Sequence, residues 1–246
     1  MKYLLFTILL FSSVLLTFSG SSHASPTPEE VVKLADESRY PSGQFSFAVR
    51  VTDNDNGEGK KETLYQVHTK DSNQSLVETK SPERLRGRKL LMKKQELWMF
   101  LPTLKKPTRV GFEQRLTGEV SNGDLARTNF ADDYKPRFLA DDIINQKPCY
   151  KLLLTATNKD VAYRKIVYWV EKKSFFPIQV NFYAISGKLL KTGKYSEIKL
   201  VLDKKRVTQL IIQDALQEKK QSRLNYFNFV KTSYDDSFFS KESLSD

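Results

Sequence analysis

Residues 89–134 read KLLMKKQELWMFLPTLKKPTRVGFEQRLTGEVSNGDLARTNFADDY and contain two contrasting parts. The first part alternates like a pair of strands and ends in an apolar cluster at 97–101, which Pro102 terminates. The remainder is polar, contains Gly118 and Gly123, and has no regular period. This combination predicts an apolar sheet followed by a long, partly mobile cover, an arrangement that makes a pocket for an apolar ligand.

The N-terminus has the pattern of an export signal. Lys2 precedes an almost unbroken apolar run at 3–18, and small residues stand at Ser22 and Ala24. We expect cleavage after Ala24, because the run is shorter than the roughly 20 apolar residues that a spanning anchor needs. No cysteine stands near the cleavage point, so we expect a periplasmic protein that is not lipidated.

The composition of residues 25–246 limits the class of protein. They carry 39 basic and 29 acidic residues, a net charge of +10. The chain has one cysteine, Cys149, so an internal disulfide is excluded and packing must supply the stability. An exported chain without disulfides is typical of a bacterial envelope protein.

The periodicity predicts one helix and then a series of strands. The helix covers 28–38, where acidic residues fill the first turn and an apolar stripe follows. The predicted strands are 45–51, 64–68, 75–80, 88–93, 95–101, 150–156, 163–170, 178–184, 189–200, 207–213 and 224–230. The stretch 111–147 is predicted to be irregular. Short connections leave no room for crossover helices, so the sequence predicts an antiparallel meander in one domain over 25–246.

Some of these strands are apolar on both faces. Ile166, Tyr168 and Val170 lie on one side of their strand, while Val167 and Trp169 lie on the other. A sheet of this kind must be covered on both faces, by a helix, by its own curvature or by a ligand. Composition alone leaves open whether these residues form an ordinary core or line a ligand cavity.

Catalytic chemistry finds little support in the sequence. His68 is the only histidine after the export signal, and we interpret it as a surface or edge residue. One histidine and one cysteine cannot form a zinc site, so we expect no metal, no cofactor and no enzyme activity. The pairs Asp132-Asp133 and Asp141-Asp142 are expected to be solvated or to cap helices.

One acidic, glycine-containing stretch has a simpler interpretation than ion binding. Residues 53–57 read DNDNG, and they lie between two alternating strands. Because the spacing departs from that of a calcium loop, we interpret the stretch as a hairpin turn.

Basic residues form four clusters. They are Arg84, Arg86, Arg88 and Lys89; Lys105, Lys106 and Arg109; Lys204, Lys205 and Arg206; and Lys219, Lys220 and Arg223. Nucleic-acid binding is a poor fit for an exported chain without a recognisable binding motif. The clusters indicate either simple solvation or attraction to an anionic surface such as lipid head groups.

Several motifs together resemble a known family. They are VRVTDNDNGEG at 49–59, KKQELWMFLP at 93–102, QRLTGEVSNGDLARTNFADDY at 114–134 and the C-terminal SFFSKESL. The chain resembles the LolA/LolB-like superfamily of periplasmic lipoprotein carriers, and within it the LolA-like outer-membrane lipoprotein-sorting proteins. The resemblance spans essentially all of residues 25–246.

The resemblance implies a fold and a function. It implies a mainly β protein, a half-open antiparallel β-barrel or curved sheet covered by a few helices, which carries the acyl chains of a lipoprotein or other lipid toward the outer membrane. The candidate cavity wall is Phe45, Phe47, Val49, Trp98, Phe100, Val167, Trp169, Val180 and Phe182. The candidate lid residues are Val31, Leu34, Leu116 and Leu125. An inner-membrane transporter and an outer-membrane acceptor are the implied partners, without nucleic acid.

One departure from the family bears on the lid. The lipoprotein carriers latch the lid with an arginine in an Arg-Pro pair on the third strand, and the corresponding stretch at 68–79, HTKDSNQSLVET, has neither residue. A latch built differently would use, for example, Arg50 or Arg127. A carrier of another lipid, beside an RND-type transporter, fits the sequence equally well.

Two further interpretations stay open at this point. An envelope sensor or partner-binding module could use the same half-barrel, as an accessory to an RND-type transporter. A purely structural envelope protein would fill the cavity with its own side chains.

Overall fold

A computed structural model describes residues 25–54, 60–127 and 130–245, and one curved antiparallel sheet dominates them. The strands are β1 (Phe45–Asn54), β2 (Lys60–Asp71), β3 (Gln74–Ser81), β4 (Lys89–Lys93), β5 (Glu96–Phe100), β6 (Thr108–Arg109), β7 (Arg115–Thr117), β8 (Val120–Ser121), β9 (Tyr134–Ile144), β10 (Lys147–Ala156), β11 (Lys165–Glu171), β12 (Pro177–Tyr183), β13 (Leu189–Val201), β14 (Lys204–Asp214) and β15 (Gln221–Lys231). The helices are α1 (Pro28–Glu37) and α2 (Asn122–Ala126).

The sheet consists of two meanders joined where the first and last strands meet. Its order is β6-β5-β4-β3-β2-β1-β15-β14-β13-β12-β11-β10-β9, and β7 pairs with β8 separately. Strand β1 pairs with β15 from Phe45 opposite Lys231 to Asn54 opposite Gln221. The edges β6 and β9 do not pair in the described chain, so the predicted half-open antiparallel barrel with few helices is confirmed.

Helix α1 begins and ends at specific polar contacts. Thr27 and Glu30 form a capping box, and Pro28 occupies the first turn, where a missing N–H costs nothing. Beyond the last turn, the Arg206 guanidinium donates to the carbonyls of Glu37 and Tyr40. These contacts confirm the predicted helix and fix where it ends.

The prediction that 111–147 is irregular is wrong in both halves, since β7, β8 and α2 are short elements in the first half and β9 fills most of the second. Strand β9 occupies 11 residues there and pairs with β10, with a bulge opposite Tyr150 and Leu152. An edge strand has one neighbour and solvent on much of its surface, so it needs no apolar alternation, and Pro136 is tolerated there.

The C-terminal segment lies on the outer, convex face of the sheet. Two 3₁₀ helices, Asp236–Phe239 and Glu242–Leu244, bury Phe239 and Leu244 against Leu76 and Leu91. The C-terminal segment therefore covers the outer face of β2–β5.

Two sequence predictions concern residues that the structure does not describe. The expected export signal at 1–24 and most of the expected turn at 53–57 lie outside the described residues. Within the described ranges, no helix has the length and apolar character needed to cross a membrane.

Candidate functional site

The inner, concave face of the sheet carries two apolar clusters. One lies under β1–β5, β14 and β15, and the other under β9–β12, where α1 packs. Strand alternation places every second side chain on this face, so Leu97 points inward while Trp98 points outward.

The predicted wall divides between the two faces. The inner-face members are Phe45, Phe47, Val49, Val180 and Phe182. The outer-face members are Trp98, Phe100, Val167 and Trp169. The C-terminal segment covers Trp98 and Phe100, and the Trp169 indole donates to Asp142 at 2.9 Å. The periodicity could not assign these faces, because both sides of these strands are apolar.

The predicted lid residues lie in two covers of the inner face. Val31 is buried in α1, while Leu34 stands on the exposed side of that helix. Leu125 is buried and Leu116 is half-buried in residues 111–127, which we call the inner strap. The strap crosses the concave side over the first apolar cluster and contains β7, β8 and α2.

The middle of the strap is fixed to the sheet through Asp53. The carboxylate of Asp53 accepts from Thr117 Oγ1 at 2.7 Å and from Ser222 Oγ at 2.5 Å. Gly118 turns between these contacts with φ +45°, and a Cβ there would overlap Asp53 and Ser222. Glycine is therefore required both by the backbone and by the close approach.

Helix α2 packs closely against the far side of the barrel. Ser121 and Asp124 form its capping box, and both carboxylate oxygens of Asp124 accept from Tyr163 Oη at 3.0 and 3.1 Å. A Cβ on Gly123 would lie 2.9 Å from the Cβ of Ala162, so only glycine permits this packing.

Arg127 joins the two edges of the open sheet. Its Nη1 donates to both oxygens of Asp133 at 2.6 Å, just before β9. Its Nη2 donates to the carbonyl of Lys94, between β4 and β5, at 2.9 Å, and to that of Asp160 at 3.4 Å. The guanidinium also lies 4.5 Å from the centre of the Phe112 ring. The other suggested arginine, Arg50, forms an exposed ion pair with Glu62 and lies 5.3 Å from the centre of the Phe227 ring, on the other face.

The prediction that the acidic pairs are solvated is wrong for Asp133. Its side chain is 7% exposed and forms an ion pair with Arg127 of the strap. Burial raises the pKa of Asp133, and the neighbouring Arg127 charge opposes that rise. Asp141 and Asp142 lie in β9 and pair with lysines at the surface.

The middle of the barrel is filled by a buried polar and aromatic layer. Arg39 Nη2 donates to Asp36 Oδ1 at 2.5 Å, and Asp36 Oδ2 accepts from the backbone N–H groups of Phe130 and Ala131. Burial raises the pKa of Asp36, and it raises that of Tyr195 to about 12. The remaining cavity is about 40 Å³, the liquid volume of about one water molecule.

A pocket of about 240 Å³, with both apolar and basic lining residues, lies between the strap and β2–β5. Its lining residues are Tyr65, Val77, Thr79, Leu85, Arg88, Lys89, Leu90, Met99, Leu101, Arg115 and Leu116. The apolar side chains form its walls, while exposed Arg88 and Arg115 stand at its mouth. Two wider clefts, of about 420 and 740 Å³, are open and lined by many polar residues.

In the described ranges no cluster of three or more His, Cys, Asp or Glu side chains could hold a metal ion. His68 lies on a central strand, half-buried, with Nδ1 2.8 Å from Tyr234 Oη. The expectation of an edge or surface histidine is therefore wrong, since the C-terminal segment covers it.

Comparison with known proteins places this geometry in a family. The model of a family described as uncharacterized proteins matches residues 71–246, and no curated protein sequence matches the chain. A LolA superfamily protein from Nitrosomonas europaea is 35% identical over 89% of this chain and 99% of its own, with a TM-score of 0.85.

Two more distant solved structures share the fold. A putative outer membrane lipoprotein-sorting protein domain from Vibrio parahaemolyticus is 21% identical with a TM-score of 0.77, over 89% of this chain and 98% of its own. A DUF1329 family protein from Desulfovibrio piger is 19% identical with a TM-score of 0.76, over 89% and 100%. Fold and sequence identity together establish that this chain belongs to the LolA superfamily.

Proposed function

We propose that the protein is a periplasmic carrier that binds the acyl chains of a lipoprotein or other lipid under the inner strap. The observation that carries this proposal is the 240 Å³ pocket between the strap and the inner face of the sheet, where Val77, Leu90 and Met99 form an apolar wall. The lipoprotein-sorting description of the Vibrio relative supports movement toward the outer membrane as the role.

The size of the pocket implies that the strap moves when cargo binds. Its volume equals about eight water molecules of liquid, which is enough for only part of an acyl chain. Burying a methylene contributes about 0.8 kcal/mol, so a longer chain gains free energy by displacing the strap from the sheet. Leu116, which lies between pocket and solvent, is the first residue that such a movement would shift.

The attachments of the strap suit reversible opening. The two ends of the strap are fixed in the core by Phe112, Val120, Leu125 and Ala126. Beside Leu116, the strap is held by the hydrogen bond from Thr117 to Asp53. Such bonds exchange for water when broken, so each costs little net free energy to open. A carrier needs this balance, because it must hold cargo in water and still release it to an acceptor.

A partner-binding role is the second candidate, favoured by the free edge of β9. The strand is 11 residues long, and Phe138, Leu139 and Ile143 are exposed on it. An unpaired edge is a template for an added strand from another protein. An inner-membrane transporter of the RND type, or an outer-membrane acceptor, could supply that strand.

Native mass spectrometry of protein purified from the envelope tests the carrier proposal. We expect one lipid or lipopeptide per chain, released on denaturation. A fluorescent acyl probe should bind wild type, and Leu116→Asp should weaken its affinity at least tenfold, because the charge enters the pocket. Leu200→Asp, at a fully exposed site, is the matched control and should bind like wild type.

The opposite result would assign a different role. A mass equal to the bare chain, with no probe uptake, would indicate a protein whose interior is closed and structural. Saturable binding to an envelope protein without lipid uptake would favour the partner-binding role.

A further inference from the structure

Two of the basic clusters meet at the mouth of the pocket. The loops 82–88 and 101–107 follow β3 and β5 and leave the sheet at the same end. They touch, since a Cβ on Gly87 would lie 3.2 Å from Cγ of Pro102. Leu85 and Leu101 from these loops also line the pocket. We call 82–88 and 101–107 together the basic lip.

The lip is strongly cationic and carries one projecting aliphatic side chain. Its exposed cations are Arg84, Arg86, Arg88, Lys105 and Lys106, against one carboxylate, Glu83. Glu83 pairs with Arg86 at 3.1 Å in an exposed ion pair, which neutralises little of this charge. Leu104, beside the two lysines, is 63% exposed.

A second site on the molecule has a similar sequence without this concentration of charge. The β13–β14 hairpin, at the opposite end of the strands, reads LVLDKK at 200–205, with Leu200 73% exposed. However, Asp203 stands beside Lys204 and Lys205, and the neighbouring Arg206 is buried under α1. Single exposed leucines are common, so charge is what distinguishes the lip.

We propose that the basic lip docks the protein onto the surface of an anionic lipid bilayer. Each lysine or arginine near such a surface adds favourable electrostatic energy, and the effect falls off within a Debye length. An exposed leucine among these cations can enter the boundary between head groups and acyl chains. A polyanion without an apolar layer would interact with the cations of the lip but not with Leu104.

Docking by the lip would place the pocket mouth against the membrane. Arg88 belongs both to the lip and to the rim of the pocket, and Leu101 lines the pocket from the lip side. The proposal goes beyond acyl binding and does not depend on it, because vesicle binding can be measured whether or not the pocket takes up lipid.

Vesicle flotation of the exported protein tests the proposal. Vesicles of phosphatidylcholine alone are compared with vesicles that contain one quarter phosphatidylglycerol. Lys105→Glu/Lys106→Glu should weaken binding to the anionic vesicles at least about tenfold, whereas the matched pair Lys204→Glu/Lys205→Glu should stay within about twofold of wild type. Because all variants share one N-terminus, differences between them report on the mutated loops.

A second pair of variants tests insertion. Leu104→Ser should weaken binding about threefold or more, while Leu200→Ser should leave it unchanged. Circular dichroism of each variant confirms that the fold is retained.

Four outcomes would overturn the proposal. They are the absence of binding to anionic vesicles, equal loss in both lysine pairs, an unaltered Leu104→Ser, and binding to DNA as tight as to vesicles. The last two would describe a general polyanion site without membrane insertion.

Discussion

Helix α1 and the inner strap cover opposite halves of the same concave face, but they are held differently. Helix α1 seats Val31, Val32 and Ala35 with no exposed surface, and buried Asp36 and Arg39 lock its end. The strap also buries Phe112, Val120, Leu125 and Ala126 in the core, but its section around Leu116 is half-buried and lies over the pocket. The difference indicates that α1 is fixed along its length, whereas the strap has a section, around Leu116, that can move.

The largest expected effect comes from breaking the fixed cover. Asp36→Ala leaves Arg39 buried without its carboxylate and removes the acceptor for two backbone N–H groups. We expect the free energy of unfolding to fall by about 3–5 kcal/mol, measured by urea denaturation. Glu37→Ala, next to it but exposed, should change the value by less than about 0.5 kcal/mol. Similar losses in both variants would show that α1 is not locked by Asp36.

The next effect should be local and confined to the strap. Arg127→Ala removes the ion pair with Asp133, and we expect a loss of about 1–3 kcal/mol in the protection of strap amides against hydrogen exchange. Amides of β1 should stay protected, since the strap can open without them. Arg50→Ala, which removes an exposed ion pair and a ring contact with Phe227 on the other face, is the control and should leave strap exchange unchanged. Loss of protection throughout the sheet would contradict a separately moving strap.

A smaller effect should follow from substituting the turn of the strap. Gly118→Ala places a side chain at φ +45° and against Asp53, and we expect about 1–2 kcal/mol of destabilisation from the backbone alone, with more from the overlap. Gly187→Ala is the matched control, because its φ is +83° but nothing lies within 4 Å of the added Cβ. Equal losses of stability in the two variants would mean that the contact with Asp53 does not hold the strap.

The smallest effect concerns a third cover, the C-terminal segment on the outer face. Burial lowers the pKa of His68 below its ordinary 6.5, so the neutral ring is favoured when Tyr234 and Phe238 pack on it. Stability from this group is complete above pH 6.5 and falls as the pH drops through the lowered pKa. We expect the protection factors of amides at 232–245, which are corrected for the intrinsic slowing of exchange at lower pH, to fall from pH 7.5 to 5.5, and His68→Gln to remove this fall. The same fall in the variant would assign the effect to other groups.

The sequence predicted the repeating parts of this fold well. Helix α1 and the strands with alternating or continuous apolar residues lie where the periodicity predicts them, because burial on a sheet imposes that period. Strand β9 escaped prediction, since its single neighbour and exposed surface impose no pattern. The family motif at 121–134 falls on α2, Arg127 and Asp133, so it marks the strap anchors as well as the family.

The site was less predictable, for a physical reason. The direction in which the sheet curves decides which side chains of each strand line the concave face. The sequence does not reveal this direction, because Trp98 and Trp169 on the outer face are as apolar as the inner-face residues. The polar layer around Arg39 was also missed, because an arginine after a helix usually indicates solvent. Only the path of the chain brings Asp36, Phe130 and Tyr195 around it.

Photocrosslinking with a diazirine fatty acid tests most directly whether the strap covers an acyl-binding site. The labelled residues are mapped by mass spectrometry, with an excess of unlabelled fatty acid as competitor. We expect saturable labelling on the inner face at Tyr65, Leu90, Met99 or Leu116, and none at Trp98 or Trp169. Labelling of the outer face, or labelling that the competitor does not reduce, would contradict it.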